Sequence, residues 1–169
     1  MITTLLKSIA DHVATHLPNI KQVALYNEQW NYTEEELPVI PPAIYVEFGE
    51  IEWDDLGQKN QVGRLTINLH LVTEHLMPEI DTHNSSLLNQ YDVAIMQNLH
   101  QLFLAFHGWQ PQDSEGNPLG QTWVRRRTYR QPRPNSLHVW VTSFETLVYD
   151  NTAQPATQSV EATTQITRQ

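Results

Sequence analysis

The sequence predicts an α+β fold built from two amphipathic helices and four to five strands. Two segments, 2–17 and 88–106, repeat apolar residues at helical spacing, whereas 43–53 and 61–73 alternate with the period of a strand. The chain has 169 residues, 40% of them hydrophobic, and includes 5 Trp, 6 Tyr and 4 Phe. This is enough apolar surface for one domain with a single core, so a second independent domain is not expected.

The chain opens with the first helix. Its apolar residues lie on one stripe, and Pro18 ends the pattern. A short strand is predicted at 23–26, followed by an acidic, proline-bearing loop over 27–42. The stripe consists of Ile2, Leu5, Leu6, Ile9, Val13 and Leu17.

A long β-hairpin is predicted next. The strand over 43–53 contains Gly49, which marks a bulge where the alternation slips, and 54–60 has the composition of a turn. The second strand, 61–73, is apolar on one side and polar on the other, so we expect one face packed and the other meeting water or another subunit. The apolar side is Leu65, Ile67, Leu69 and Leu71, and the polar side is Arg64, Thr66, Asn68 and His70.

The second helix is predicted to begin at a cap, Ser85 or Ser86, and to end at Gly108. On its far side Val93 and Leu104 interrupt a polar row, which indicates either a second contact surface or two scattered surface residues. The buried stripe is Leu88, Tyr91, Ile95, Leu99, Leu102 and Phe106.

Two further strands, 122–130 and 137–149, complete the predicted domain. From Asp150 onward the apolar content collapses into a segment rich in Thr and Gln. We therefore expect one domain over 1–150 and a polar tail over 151–169, disordered in an isolated monomer.

The composition and the motifs of the chain argue against catalysis, metal binding and cofactor binding. There are no cysteines, the net charge is −9, and no apolar run is long enough for a membrane span, so we expect a cytoplasmic protein without membrane contact or generic nucleic-acid affinity. Nucleophile elbows, phosphate-binding glycine loops and dinucleotide fingerprints are absent. His12 and His16 are spaced for chelation but form an incomplete zinc set. We expect no enzyme activity, no cofactor and no metal.

Arginines form the most informative charge feature. Five of the 10 basic residues lie between positions 125 and 133 of an acidic chain. On a regular strand Arg125 and Arg127 share one face and Arg126 the other. The cluster fits either a surface that docks acidic groups of a partner subunit or DNA phosphate, or a strand edge protected from aggregation by charge. Our hypothesis is that Arg125, Arg127 and Arg130 make contacts between subunits or with the neighbouring ring rather than stabilising their own subunit.

The order of helix, short strand, long hairpin, long helix and strand pair resembles the tail terminator, or tail completion, proteins of tailed bacteriophages, the lambda minor tail protein U-like group. The likeness covers residues 1 to 150. It lies in the opening helix, in 42–48 (PAIYVEF), in 64–71 (RLTINLHL), in the helix around 95–106, and in 125–129 (RRRTY) before the last strand.

The resemblance implies a mixed, mostly antiparallel sheet with both helices packed on one face. It also implies a homo-oligomer, a hexameric ring, that caps the tail tube at the head-proximal end of the virion tail after assembly in the host cytoplasm. The implied partners are the tail-tube protein and head-tail connector proteins, with DNA passing through the channel without specific binding. The alternatives are a head-tail connector or neck subunit, and a small-molecule or metal-binding α+β domain.

Overall fold

A computed structural model describes residues 1–28, 39–74, 90–132 and 137–150, except the side chains of 90–92. The predicted caps Ser85 and Ser86, most of the proline loop and the tail 151–169 lie outside the described residues. The elements are, in order, α1 (Ile2–His16), β1 (Gln22–Leu25), β2 (Ala43–Gly57), β3 (Asn60–Glu74), α2 (Gln90–Phe106), β4 (Val124–Gln131) and β5 (Leu137–Asp150). Neither described helix is long and apolar enough to cross a membrane.

The five strands form one sheet in the order β1-β2-β3-β5-β4. β1 runs parallel to β2, and the other three pairings are antiparallel. The predicted α+β class and mixed, mostly antiparallel sheet are therefore confirmed. Both helices pack against the same face, because their buried residues join one cluster with the odd-numbered residues of β3. That cluster includes Leu5, Ile9 and Val13 of α1, Leu102 and Phe106 of α2, and Leu65, Ile67, Leu69 and Leu71 of β3.

Aromatic rings fill the centre of this core. Trp123 is fully buried, with its ring centroid 5.4 Å from that of Phe106 and 5.6 Å from that of Phe144. Its backbone N–H donates to the Trp109 carbonyl at 2.8 Å, which holds the chain away from β5 at this point. The last strand pair therefore begins at Val124, two residues later than the sequence predicts.

The hairpin is longer than predicted. Its strands reach Gly57 and Asn60, and the turn is confined to Gln58 and Lys59, both at positive φ. Asp54 and Asp55 pair with Val62 and Gln61 across the ladder, so the predicted turn over 54–60 is wrong. The ladder continues because β5 runs alongside β3 as far as the Gln61–Asp150 pair. The bulge predicted at Gly49 is confirmed by a register shift between Phe48 and Ile51.

The face of the sheet opposite the helices, here called the outer face, is not polar throughout. At one end Tyr45, Val72 and Val141 form a second buried cluster. His70, predicted on the polar side, lies among them at 3% exposure, and the Tyr26 ring stacks on it with centroids 4.3 Å apart. The prediction of a wholly polar face fails here because Val72 of β3, the neighbouring strands and Tyr26 all supply apolar groups at this end.

Candidate assembly surfaces

β4 is the outermost strand and carries the arginines. It pairs with β5 on one side, and among the described residues no strand lies on its other side. Every residue from Val124 to Arg130 is exposed. We call this strand the arginine edge; its free backbone N–H and C=O groups are able to pair with another chain.

A bulge at Arg126 rearranges the faces of this strand. Arg125 pairs with Phe144 and Arg127 with Ser143, so Arg126 is an inserted residue between two consecutive register positions. Arg125 and Arg127 consequently lie on opposite faces of the sheet, and the prediction that they share one is wrong. Arg130, opposite Trp140, lies on the helix-bearing face together with Arg125.

The four arginines of the edge differ in their partners. Arg126 donates to the Glu145 carboxylate, Nε to Oε2 at 2.7 Å, and Arg64 shares that carboxylate at 3.3 Å. The Arg125 guanidinium lies 3.8 Å from the centroid of the Phe103 ring of α2. Arg127 and Arg130, like Arg125, have no carboxylate partner among the described residues. Arg130 only approaches His138, with 3.5 Å between Nη2 and Nε2.

Arg127 ends a row of hydrogen bonds that crosses four strands on the outer face. Its Nε donates to Ser143 Oγ at 3.3 Å, and that hydroxyl donates to Asn68 Oδ1 at 2.6 Å. Asn68 Nδ2 in turn donates to Glu47 Oε2 at 2.8 Å, and the same carboxylate oxygen lies 2.9 Å from His70 Nε2. The sequence places Asn68 and His70 on this face, but the row depends on β3 lying beside β5, which spacing does not reveal. The network holds the guanidinium of Arg127 through its Nε–H at the edge of the sheet.

Val93 and Leu104 are both exposed, and they belong to a larger strip. Eleven residues separate them, three helical turns or about 16 Å, so they lie on the same side of α2. Met96 is exposed between them, and Phe103 at the C-terminal end is half-buried beneath Arg125. We call Val93, Met96, Phe103 and Leu104 the α2 strip. Sequence reasoning missed Met96 and Phe103, although Met96 lies at helical spacing from both Leu104 and Phe103, eight and seven residues away.

The strip and the arginine edge meet at one point. Arg125 covers Phe103, and the Arg125 backbone N–H donates to His107 Nδ1 at 3.3 Å. Of the five residues predicted to form an interface, the structure therefore brings Arg125 and Leu104 to neighbouring positions. Val93 lies three turns away along the same strip, Arg130 lies farther along β4, and Arg127 faces the other side of the sheet.

The distal half of β2 is strongly acidic. Residues 50–57 include Glu50, Glu52, Asp54 and Asp55, all exposed, and no basic residue. None of the four forms an ion pair within the described part of the chain. We call this segment the acidic edge. Glu52 and Asp54 lie on the outer face, opposite Arg64 and Val62 of β3, whereas Asp55, opposite Gln61, lies on the helix-bearing face.

The histidine pair of α1 is tied to backbone groups. His12 Nε2 lies 2.8 Å from the Ala105 carbonyl, and His16 Nδ1 lies 3.0 Å from the His12 carbonyl. The His12 ring stacks on Trp109 with centroids 4.3 Å apart. His16 is exposed. Among the described residues no group of three potential ligands is placed to hold a metal.

No protein-family model and no curated protein matches the chain. Solved structures do match. One is a chain of the structure titled "Virion of native gene transfer agent (GTA) particle", with a TM-score of 0.45 and 12% sequence identity over 84% of each chain. At that TM-score the likeness carries no weight for function, which has to be argued from the chain's own surfaces.

Proposed function

We propose that the chain is a structural subunit of a phage or phage-like virion: a tail terminator that forms a ring, caps the tail tube and joins it to the head. The observation that carries the proposal is the arginine edge. In an acidic chain, Arg125, Arg127 and Arg130 lie on an open strand without a carboxylate partner in the described residues. Exposed arginines of this kind contribute little to folding, but they anchor interfaces when a partner supplies carboxylates.

The architecture supports the same function. The order of elements, the mixed sheet and the placement of both helices on one face are those implied by the resemblance to tail terminator proteins. The net charge of −9 also suits a ring around DNA, since an acidic lumen repels phosphate and lets the duplex slide without sticking.

The test is to add the purified chain to a polymerising tail-tube protein and to measure tube length by electron microscopy. A terminator stops elongation and gives tubes with a ring at one end, and it should do so without any added cofactor. A variant with Arg125, Arg127 and Arg130 replaced by Ser should leave elongation unchecked, while Lys7→Ser/Lys21→Ser, which changes exposed basic residues outside the edge, should act like wild type.

The same experiment separates the alternatives. A chain that ignores the tube but binds the head-side portal ring is a connector or neck subunit. Stoichiometric zinc or nickel that survives dialysis and is lost in a His12→Ala/His16→Ala variant would instead support a metal-binding domain.

A further inference from the structure

Within the described part of the chain, the sheet has two open edges, on opposite sides of the subunit. One is β4. On the other side β1 pairs with only four residues of β2, 43–46, and the Tyr26 N–H donates to the Val46 carbonyl at 2.8 Å. Beyond that point β2 continues to Gly57 with no described strand beside it. The open part of this side is therefore the acidic edge.

The two edges are complementary in charge. β4 has eight residues, with four arginines and no acidic residue. The acidic edge, 50–57, also has eight residues, with four acidic residues and no basic residue. Each edge further exposes apolar side chains: Val124 and Tyr129 on β4, and Leu56 at 59% exposure on β2. An edge-to-edge contact would cover these groups while pairing the charges.

We propose that the arginine edge of one copy docks on the acidic edge of the next, so that the sheet continues from subunit to subunit. The occupant of each edge is thus a second copy of this chain. This inference rests on the proposed ring and specifies how the ring closes. Arg127 and Arg130, on opposite faces of the sheet, meet carboxylates of the neighbour that are likewise on opposite faces, among them Glu52 and Asp55, and backbone hydrogen bonds join the two strands.

The charges also exclude the symmetric pairings. Two β4 strands side by side would place arginines opposite arginines, and two acidic edges would place carboxylates opposite carboxylates; like charges directly opposite destabilise a strand pair. Only the head-to-tail contact joins unlike edges. A head-to-tail contact generates a closed ring when its rotation closes, whereas a symmetric contact stops at a dimer.

Charge reversal tests this contact directly. Arg127→Glu/Arg130→Glu puts carboxylates on β4 at two positions that would face carboxylates of the neighbour, and Glu52→Lys/Asp55→Lys puts amines on β2 at two positions that would face its arginines. We expect each variant alone to be monomeric by native mass spectrometry and light scattering, and an equimolar mixture to form rings with alternating subunits. The four substitutions in one chain exchange the charges within these pairs and should restore a ring of identical subunits. Lys7→Glu/Lys21→Glu changes the charge as much as the first variant, away from both edges, and should form rings like wild type.

The possible outcomes separate the contact from the ring itself. Rings in wild type that persist in both reversed variants overturn the edge contact and leave the proposed function standing. A wild-type chain that stays monomeric, alone and on the tail tube, overturns both. Reversed variants that fold, as judged by circular dichroism, but fail to recover in the mixture and in the four-fold variant also overturn the contact. If duplex DNA binds the wild-type chain but not Arg127→Glu/Arg130→Glu, while the variant still forms rings, then the arginines bind DNA phosphate rather than a second copy of the chain.

Discussion

At the scale of single residues, some side chains are held by contacts within the subunit and others are available to partners. Burial lowers the pKa of His12 below its ordinary value of 6.5; the hydrogen bond to Ala105 partly offsets this, and His16 lowers the pKa further. The unfolded chain therefore takes up this proton more readily than the fold. Stability contributed by neutral His12 is complete above pH 6.5 and is lost as the pH falls from 6.5 toward the folded pKa.

We therefore expect the Tm of wild type to fall between pH 7.5 and pH 5.5, and the His12→Gln variant to show a shallower dependence. Glutamine keeps an N–H donor for the Ala105 carbonyl but does not titrate. His100→Gln, on the exposed side of α2, should keep the wild-type slope. Thermal melting followed by circular dichroism measures all three, and parallel curves for His12→Gln and wild type would contradict the assignment.

Arg125 lacks a carboxylate partner in the described residues but stacks on a ring of another element, Phe103 of α2. Its stacking on Phe103 at an exposed site is worth about 0.5–1 kcal/mol. Arg125→Ser should lower the free energy of unfolding by about that amount, whereas Arg130→Ser should leave it nearly unchanged. A double-mutant cycle with Phe103→Leu measures the coupling in urea. A coupling free energy of zero between Arg125 and Phe103 would mean that Arg125 does not stabilise its own subunit, as the sequence predicts.

At the scale of elements, periodicity predicted most of the described fold. α1 ends one residue before Leu17, and β3 and β5 match their predicted strands to within a residue. The apolar side of β3 runs from Leu65 to Leu71, and β5 is rich in apolar and β-branched residues on both faces. The bulge at Arg126 could not be predicted, since an inserted residue among identical arginines leaves no trace in the pattern. The polar row from Glu47 to Arg127 was missed for another reason: it requires the strand order, which depends on contacts between distant segments.

The α2 strip gives a prediction at the scale of a single helix. Val93→Ser/Leu104→Ser removes exposed apolar groups that make no contribution to the core, so stability should change by no more than about 0.5 kcal/mol. If the strip is a contact surface, the same variant weakens ring formation or tube attachment, because apolar area that assembly would cover is lost. Gln97→Ser, on the same side of the helix, is the matched control. Normal assembly of the double variant would mean that Val93 and Leu104 are scattered surface residues.

At the scale of the whole molecule, the two faces of the sheet differ in how much apolar surface they bury within the subunit. One face is covered by α1 and α2 and contains the large core, while the outer face carries a small apolar cluster and a polar row. The edges carry opposite charges. A subunit with this distribution is stabilised mainly by the core on one face of the sheet. Its unpaired charges lie at the two sides of the described sheet that no strand covers, where neighbours in a ring would lie.

Residues 151–169 should be dispensable for folding of this subunit. The core closes through β5, whose last pairings join Val148 to Gly63 and Asp150 to Gln61, and the segment beyond contributes few apolar side chains. Truncation after Asp150 should therefore leave the Tm of the monomer unchanged to within about 2 °C, because removing solvated polar residues changes stability little. Ring formation by the truncated chain is a second, independent measurement. If the truncated chain keeps its Tm but no longer forms rings, then 151–169 makes contacts between subunits. A fall in the monomer's Tm by many degrees would contradict the prediction and make the segment part of the core.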